Sequence, residues 1–179
     1  MVRKHWQAFA LVLVGCVGCD HASKRAAEAL LAGSGGLAFA GDVVQFQLAA
    51  NPGAFLSVGA GLPSPVRQAL LLGMVPLLIA FVCLAFAWRA HVTRAQALAL
   101  ACVAGGGLAN WLDRVLHDGN VTDFVSLGFG GLRTGIFNLA DLAVVGGVGM
   151  LLWFTRTQAL APAADSSRHA EPERGSEGS

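Results

Sequence analysis

Apolar residues along the chain gather into long runs, and four of these runs read as helical spans. The first extends from about Trp6 to Leu31, although only Trp6 to Cys19, 14 residues, is free of charge. A crossing takes about 20 residues, so Asp20, Lys24 and Arg25 are expected at a membrane surface, unless the segment is a signal peptide. The second run, Ala69 to Trp88, is 20 uncharged residues. The third covers about Ala95 to Leu116 and the fourth about Ile136 to Thr155, each with polar residues near one end. In the intervening loop Ala32 to Pro65, Val43-Val44-Gln45-Phe46-Gln47-Leu48 reads as a short strand. Asn51-Pro52-Gly53 reads as a turn, and Ala54 to Leu62 as a short amphipathic segment in the interface. The loop His117 to Gly135 holds a second strand-like stretch, Val121-Thr122-Asp123-Phe124-Val125, able to pair with the first. The pattern predicts an all-α membrane bundle of four transmembrane helices with a small β-sheet or extended element on its outer face.

Composition supports the membrane class. Hydrophobic residues make up 55% of the 179 and charged residues 13%, against roughly 25% charged in an ordinary soluble domain. A net charge of +1 gives no basic field suited to nucleic acid. Cys16, Cys19, Cys83 and Cys102 all lie in apolar runs, where they read as small hydrophobes and not as a disulfide framework or a zinc site. Arg3, Lys4, the connection Arg89 to Arg94, and Arg156 put basic residues on one side, which the positive-inside rule makes cytoplasmic. Both termini are then expected inside. The stretch Ala161 to Ser179 is too polar to fold and is expected to be a disordered cytoplasmic tail.

On that topology three polar clusters arrive at one depth, near the outer surface: Asp20 with Lys24, Asn110 with Asp113 and Arg114, and Asn138 with Asp141. A charge at a helix centre costs about 2.5–3.5 kcal/mol on insertion scales, so such convergence marks a functional site. Each residue alone also has an ordinary reading. Asp20 and Lys24 suit an i,i+4 ion pair, Asn138 and Asp141 a helix cap with an acid in the first turn, Asp113 and Arg114 a neutralising pair, and Asp123 a solvated turn. Five carboxylates, Asp20, Asp113, Asp118, Asp123 and Asp141, are expected near the cluster, and neither a metal motif nor a Ser/His/Asp arrangement offers itself as readily. No metal or cofactor is therefore expected. Paired carboxylates that share one proton and activate a water remain as the chemistry.

The runs Gly105-Gly106-Gly107-Leu108-Ala109-Asn110-Trp111-Leu112-Asp113-Arg114, Gly119-Asn120-Val121-Thr122-Asp123-Phe124 and Phe137-Asn138-Leu139-Ala140-Asp141 resemble the motif series of the lipoprotein signal peptidase (signal peptidase II) family. Asp20-His21-Ala22-Ser23-Lys24 is similar to that family's D-x-x-[TS]-K motif. The resemblance covers about Trp6 to Phe154. It implies a four-helix membrane aspartic endopeptidase over residues 1–160, in the bacterial inner membrane with its site near the outer face. Its substrate would be a diacylglyceryl-modified prolipoprotein, cut just before the lipidated cysteine. Asp123 and Asp141 fall on the catalytic dyad, and Asp20, Lys24, Asn51, Gly106, Asn110, Asp113, Arg114, Asn138 and Ala140 on supporting or substrate-binding positions. Arg114 is expected to tie Asp113 in place. The resemblance also implies membrane lipid as a partner, a monomer, and inhibition by globomycin. The family's second motif usually reads N-x-G-A-[AS]-[FW], whereas here Asn51-Pro52-Gly53-Ala54-Phe55 brings the aromatic a residue early.

Three other readings compete. Leu13-Val14-Gly15-Cys16 resembles a lipobox, which would make the chain itself a lipoprotein. Polar residues near one surface would also suit a small transporter, although the inner halves of the spans look purely apolar and show no pathway. A catalytically silent relative that binds lipidated peptides is the fourth.

Overall fold

A computed structural model describes residues 3–88 and 92–160. The tail expected to be disordered, 161–179, and part of the basic connection, 89–91, lie outside the described residues. Helix α1 is Arg3–Leu31, followed by β1 (Leu37–Phe39) and β2 (Val44–Asn51). A short helix α2 (Ser64–Gln68) runs through a π-helical stretch, Ala69–Met74, into α3 (Val75–Trp88). Then come α4 (Arg94–Leu116), β3 (Val121–Phe129), β4 (Leu132–Arg133) and α5 (Leu139–Leu160). Among the described residues three helices are long and apolar enough to cross a membrane: Ser64–Leu84, Arg94–Leu116 and Leu139–Thr157. α1 is longer than any of them but carries Asp20, Lys24, Arg25 and Glu28 in its second half.

α4 is the central helix, packed on α5 and α1 and more lightly on α3. Its start is fixed by a capping box, in which Gln96 N donates to Thr93 Oγ1 at 3.2 Å and Thr93 N to Gln96 Oε1 at 3.1 Å. Small residues let its neighbours come close, as helices in lipid require where hydrophobic burial supplies little drive. Ala97, Ala101 and Ala104 share one face of α4 and bury Phe9 of α1 to 3% exposure. The segment ahead of Cys16 is therefore part of the packed bundle, which weighs against its removal as a lipoprotein leader. A Cβ at Gly105 would stand 2.9 Å from the Leu13 carbonyl oxygen on α1, and one at Gly106 would collide with the Ala140 carbonyl oxygen on α5. Two adjacent glycines thus admit a helix on each side of α4, α1 running parallel to it and α5 antiparallel.

The sheet is antiparallel in the order β1-β2-β3-β4 and sits at one end of the bundle. β2 pairs with β3 through Val44↔Leu127 at one end and Asn51↔Val121 at the other, with a register irregularity between Phe46 and Ala49. The pairing expected between the two strand-like stretches is present; β2 begins one residue later than expected and ends three residues further on, and β3 ends four residues further on. Past β4 the chain returns along β3, where Phe137 N donates to Val125 O at 2.8 Å, and so delivers Asn138 beside Asp123. Phe124 on the other face of β3 packs on Ala27 and Leu31 of α1. The bundle and the sheet therefore share a wall, and Ala54 to Leu62 forms a tight loop beside it around the 3-10 turn Phe55–Ser57.

Gly106→Ala should force α4 and α5 apart, because the obstruction is main chain and no rotamer relieves it. Overpacking of this kind costs about 1–3 kcal/mol, visible as a lowered midpoint in a detergent-micelle melt. An unchanged midpoint would show that the two helices do not depend on this contact.

Candidate active site

Nine of the eleven positions singled out from the sequence are side chains buried at the sheet end of the bundle: Asp20, Lys24, Asn51, Asp113, Arg114, Asp123, Asn138, Ala140 and Asp141 are each no more than 6% exposed. Asn110 is half-buried among them and Gly106 lies one helical turn below. Asp118, by contrast, is an exposed turn residue at positive φ that ends α4 with Gly119, outside the cluster.

Asn138 ties the two candidate acids together. It caps α5, with Asp141 N donating to Asn138 Oδ1 at 3.0 Å and Asn138 N to Asp141 Oδ2 at 3.2 Å, a reciprocal arrangement like a capping box. The same side chain reaches across to β3, its Nδ2 donating to Asp123 Oδ1 at 2.6 Å and to Asn110 Oδ1 at 3.1 Å. Asn110 Nδ2 donates to Asp141 Oδ1 at 2.8 Å, and Asn51 Nδ2 to Asp123 Oδ2 at 2.8 Å. Every carboxylate oxygen of the pair therefore has a donor, and an asparagine side chain reaches each acid from outside its own element.

A second network stands behind the first. Lys24 Nζ lies 2.5 Å from Asp20 Oδ2, 2.8 Å from Asp113 Oδ2 and 3.1 Å from Asn110 Oδ1. Asp20 Oδ1 accepts from Ala140 N at 2.8 Å, so α1 holds the first turn of α5 directly. Asp113 also accepts from Thr122 N at 3.3 Å and faces His21 Nδ1 at 3.4 Å. Asp113 is thus neutralised by Lys24, and the expected tie from Arg114 is absent. Arg114 points elsewhere: its guanidinium donates to Asn110 O at 3.0 Å and to Gly53 O at 2.6 Å. The reason is geometric, since adjacent helix positions diverge by about 100° and neither faces the other. Arg114 instead clamps the loop after β2, whose Leu56 and Ser57 both sit at positive φ, a strain of about 1–3 kcal/mol each that its surroundings must hold.

Formal charges at the site explain why a proton belongs there. Lys24 and Arg114 balance Asp20 and Asp113, so ionising both Asp123 and Asp141 would leave two negative charges in a buried volume. Burial pushes the Asp123 carboxyl from its ordinary 3.8 up to about 6, with the Asp141 charge adding to the rise and the bonds from Asn51 and Asn138 and the Lys24 charge opposing it. Such a pair titrates as a unit.

A family model described as signal peptidase (SPase) II matches residues 12–156. The chain belongs to the signal peptidase II family. A lipoprotein signal peptidase of Beijerinckia indica is 45% identical over 85 residues, covering 46% of this chain and 50% of the relative. That of Treponema pallidum is 36% identical over 122 residues, covering 65% and 64%. The chain thus spans between half and two-thirds of the length of these curated relatives. Two solved bacterial membrane enzymes share the fold. One has a TM-score of 0.78 at 19% identity, covering 89% of this chain and 94% of its own. The other has a TM-score of 0.73 at 21% identity, covering 88% and 96%.

Within this signal peptidase II chain, sequence reasoning missed His21, Gly53 and Gly105. His21 lies one residue after Asp20 in a motif already in view. Gly53 and Gly105 act through a carbonyl and a missing Cβ, which leave no polar signal.

Asp123 also predicts a pH dependence of stability. The folded chain holds this proton more tightly than the unfolded chain, so unfolding between about pH 4 and pH 6 releases it. The group's contribution is complete below its unfolded value and is lost as pH rises through about 6. Over that window the melting midpoint should fall less steeply for Asp123→Asn than for the unaltered chain. Identical slopes would contradict the burial argument.

Proposed function

We propose that the chain is an aspartic endopeptidase of the bacterial inner membrane that removes the signal peptide of diacylglyceryl-modified prolipoproteins before the lipidated cysteine. The observation that carries this reading is the pair of buried acids, Asp123 on β3 and Asp141 on α5, held by one asparagine at the end of an apolar bundle. Family membership supplies the substrate class. In the proposed arrangement α1 is the fourth span, with its charges starting at Asp20 where the bundle meets the sheet. Both termini are cytoplasmic and the sheet lies at the outer face. Support comes from the parallel packing of α1 on α4 along its length and from the basic residues at Arg3, Lys4, Arg94 and Arg156. Residues 1–160 form the peptidase, acting as a monomer.

Chemistry follows from the two environments. Asp141 sits in the first turn of α5, where the positive helix end and two N–H donors favour a carboxylate. It takes a proton from a water molecule whose oxygen attacks the scissile carbonyl. Asp123, raised to about 6, gives its proton to the carbonyl oxygen. The tetrahedral intermediate collapses as that oxygen returns its proton to Asp123, the C–N bond breaks, and Asp141 passes its proton to the departing amine of the cysteine. Asn51, Asn110 and Asn138 hold the acids in register, and Lys24 with Asp20 and Asp113 anchors the frame.

Asp123→Asn and Asp141→Asn should each lower cleavage of a lipidated precursor by roughly 10²–10⁴-fold, the usual yield of a positioned acid or base, while remaining folded in membranes. Purified enzyme should cut a diacylated precursor and leave its unlipidated counterpart intact on a gel-shift assay, and globomycin should block the reaction. Near-normal turnover by either variant would overturn the dyad. A wild-type chain that binds the lipidated precursor without cutting it would make this a silent relative.

A further inference from the structure

The two oxygens of the buried Asp113 are answered from different sides. Oδ2 accepts from Lys24 Nζ at 2.8 Å and from Thr122 N at 3.3 Å. Oδ1 faces two imidazoles, with His21 Nδ1 on α1 at 3.4 Å and His117 Nδ1 on α4 at 3.9 Å. Lys24 cannot serve this second oxygen as well. An ammonium has three N–H groups, and Lys24 Nζ already lies against Asp20 Oδ2, Asp113 Oδ2 and Asn110 Oδ1. A buried carboxylate oxygen left without a donor is costly, and an unprotonated ring nitrogen would set its lone pair against it. The donor Oδ1 requires is therefore a protonated Nδ1. His21 is the nearer ring and the less exposed, 33% against 53% for His117.

Charge points the same way. With one proton on the acid pair, the buried groups are two cations, Lys24 and Arg114, and three anions, Asp20, Asp113 and one of Asp123 and Asp141. One positive charge is missing. Arg114 donates to the carbonyls of Asn110 and Gly53, which leaves Lys24 alone between two carboxylates. Around the His21 ring the charged and titratable groups are Asp113 and His117 of α4 and, on α1 itself, Asp20, Lys24 and the exposed Arg25. Glu28, further along α1, is taken up by the hydroxyl of Thr122 on β3 at 3.4 Å.

A continuous set of contacts leads from this ring to the acid pair. Lys24, bound to Asp113, donates to Asn110 Oδ1 at 3.1 Å, and Asn110 Nδ2 donates to Asp141 Oδ1 at 2.8 Å. With His21 charged, Asp113 has a cation at each oxygen and Lys24 stays shared with Asn110. Without that charge Lys24 is drawn to Asp113, and Asn110 Oδ1 loses one of its two donors, Lys24 and Asn138. We propose that His21, as an imidazolium, is a positioning residue for Asp141, acting through Asp113, Lys24 and Asn110 and making turnover follow the pH outside the membrane. Histidine ordinarily changes charge between about pH 5 and 8, and a ring one-third exposed at the sheet end of the bundle exchanges protons with solvent. This role rests on the aspartic chemistry proposed above and adds to it a residue that touches neither acid of the pair.

The test measures kcat and KM for a diacylated precursor between about pH 5 and 8, using the full chain in lipid nanodiscs and the variants His21→Gln, His21→Lys and His117→Gln. Glutamine and lysine both suit a helix, so the fold is kept; one is neutral throughout the window and the other charged. His21→Gln should lower kcat at the acid end by roughly tenfold, the lower end for a hydrogen bond to a charged group, with KM unchanged. The unaltered chain should match His21→Lys at the acid end and fall towards His21→Gln at the alkaline end, on top of the loss from the acid pair that all share. Infrared titration of the buried carboxyl proton needs no turnover. His21→Lys should release that proton at lower pH than His21→Gln, because a fixed positive charge favours the ionised acid. Profiles of one shape for the unaltered chain and His21→Gln, a proton released at the same pH in His21→Gln and His21→Lys, or a larger effect from His117→Gln would overturn the role and leave the peptidase standing. Failure of the unaltered chain to cleave any lipidated precursor overturns the proposed function, and this role with it.

Discussion

Four aspartates, a lysine and an arginine are buried side by side at the junction of bundle and sheet, and the need to solvate them by protein groups organises the molecule around them. An unpaired buried charge costs several kcal/mol, so each of these groups constrains the backbone that answers it. Lys24 brings α1 to α4 through Asp20, Asp113 and Asn110. Asp20 holds the start of α5 through the Ala140 amide. Asn138 links α5 to β3 and α4. Removing any one partner exposes a defect in several elements at once. The glycines at 105 and 106 serve the same end, letting three helices come close enough for side chains of ordinary length to meet.

This arrangement divides labour between two layers of polar groups. Lys24 and Arg114 balance Asp20 and Asp113 and set the frame, whereas Asp123 and Asp141 are surrounded mainly by neutral amides. Amides orient a carboxylate without fixing its charge, and that leaves the protonation of Asp123 sensitive to burial and to the charge of Asp141. A lysine beside Asp123 would have held it ionised. The apolar bundle and sheet around them exclude the competing water that would otherwise screen the pair.

Much of this was legible in the chain. The shared depth of three polar clusters followed from span lengths and the alternation of direction, and the structure brings all three together. The strand character of 43–48 and 121–125 came from β-branched residues in alternation, and their pairing puts Asn51 and Asp123 within one hydrogen bond. Three features left no trace. The partner of Arg114 is a main-chain carbonyl, Gly53 O, which no pattern of side chains encodes. β1 and β4 are three and two residues long, too short for periodicity to register. The π-helical stretch Ala69–Met74 lies in a uniformly apolar run, and within it the Leu72 carbonyl accepts from Trp111 Nε1 at 3.0 Å.

At the centre of this account is electrostatic coupling between Asp123 and Asp141. Infrared titration of the protonated-carboxyl stretch, comparing the unaltered chain with Asp141→Asn and Asp123→Asn, measures it most directly. The unaltered chain should keep one buried carboxyl proton up to about pH 6, and Asp141→Asn, lacking the neighbouring charge, should lose it at lower pH. A proton that titrates at the same pH in both, or one that survives in Asp123→Asn unchanged, would contradict a coupled pair.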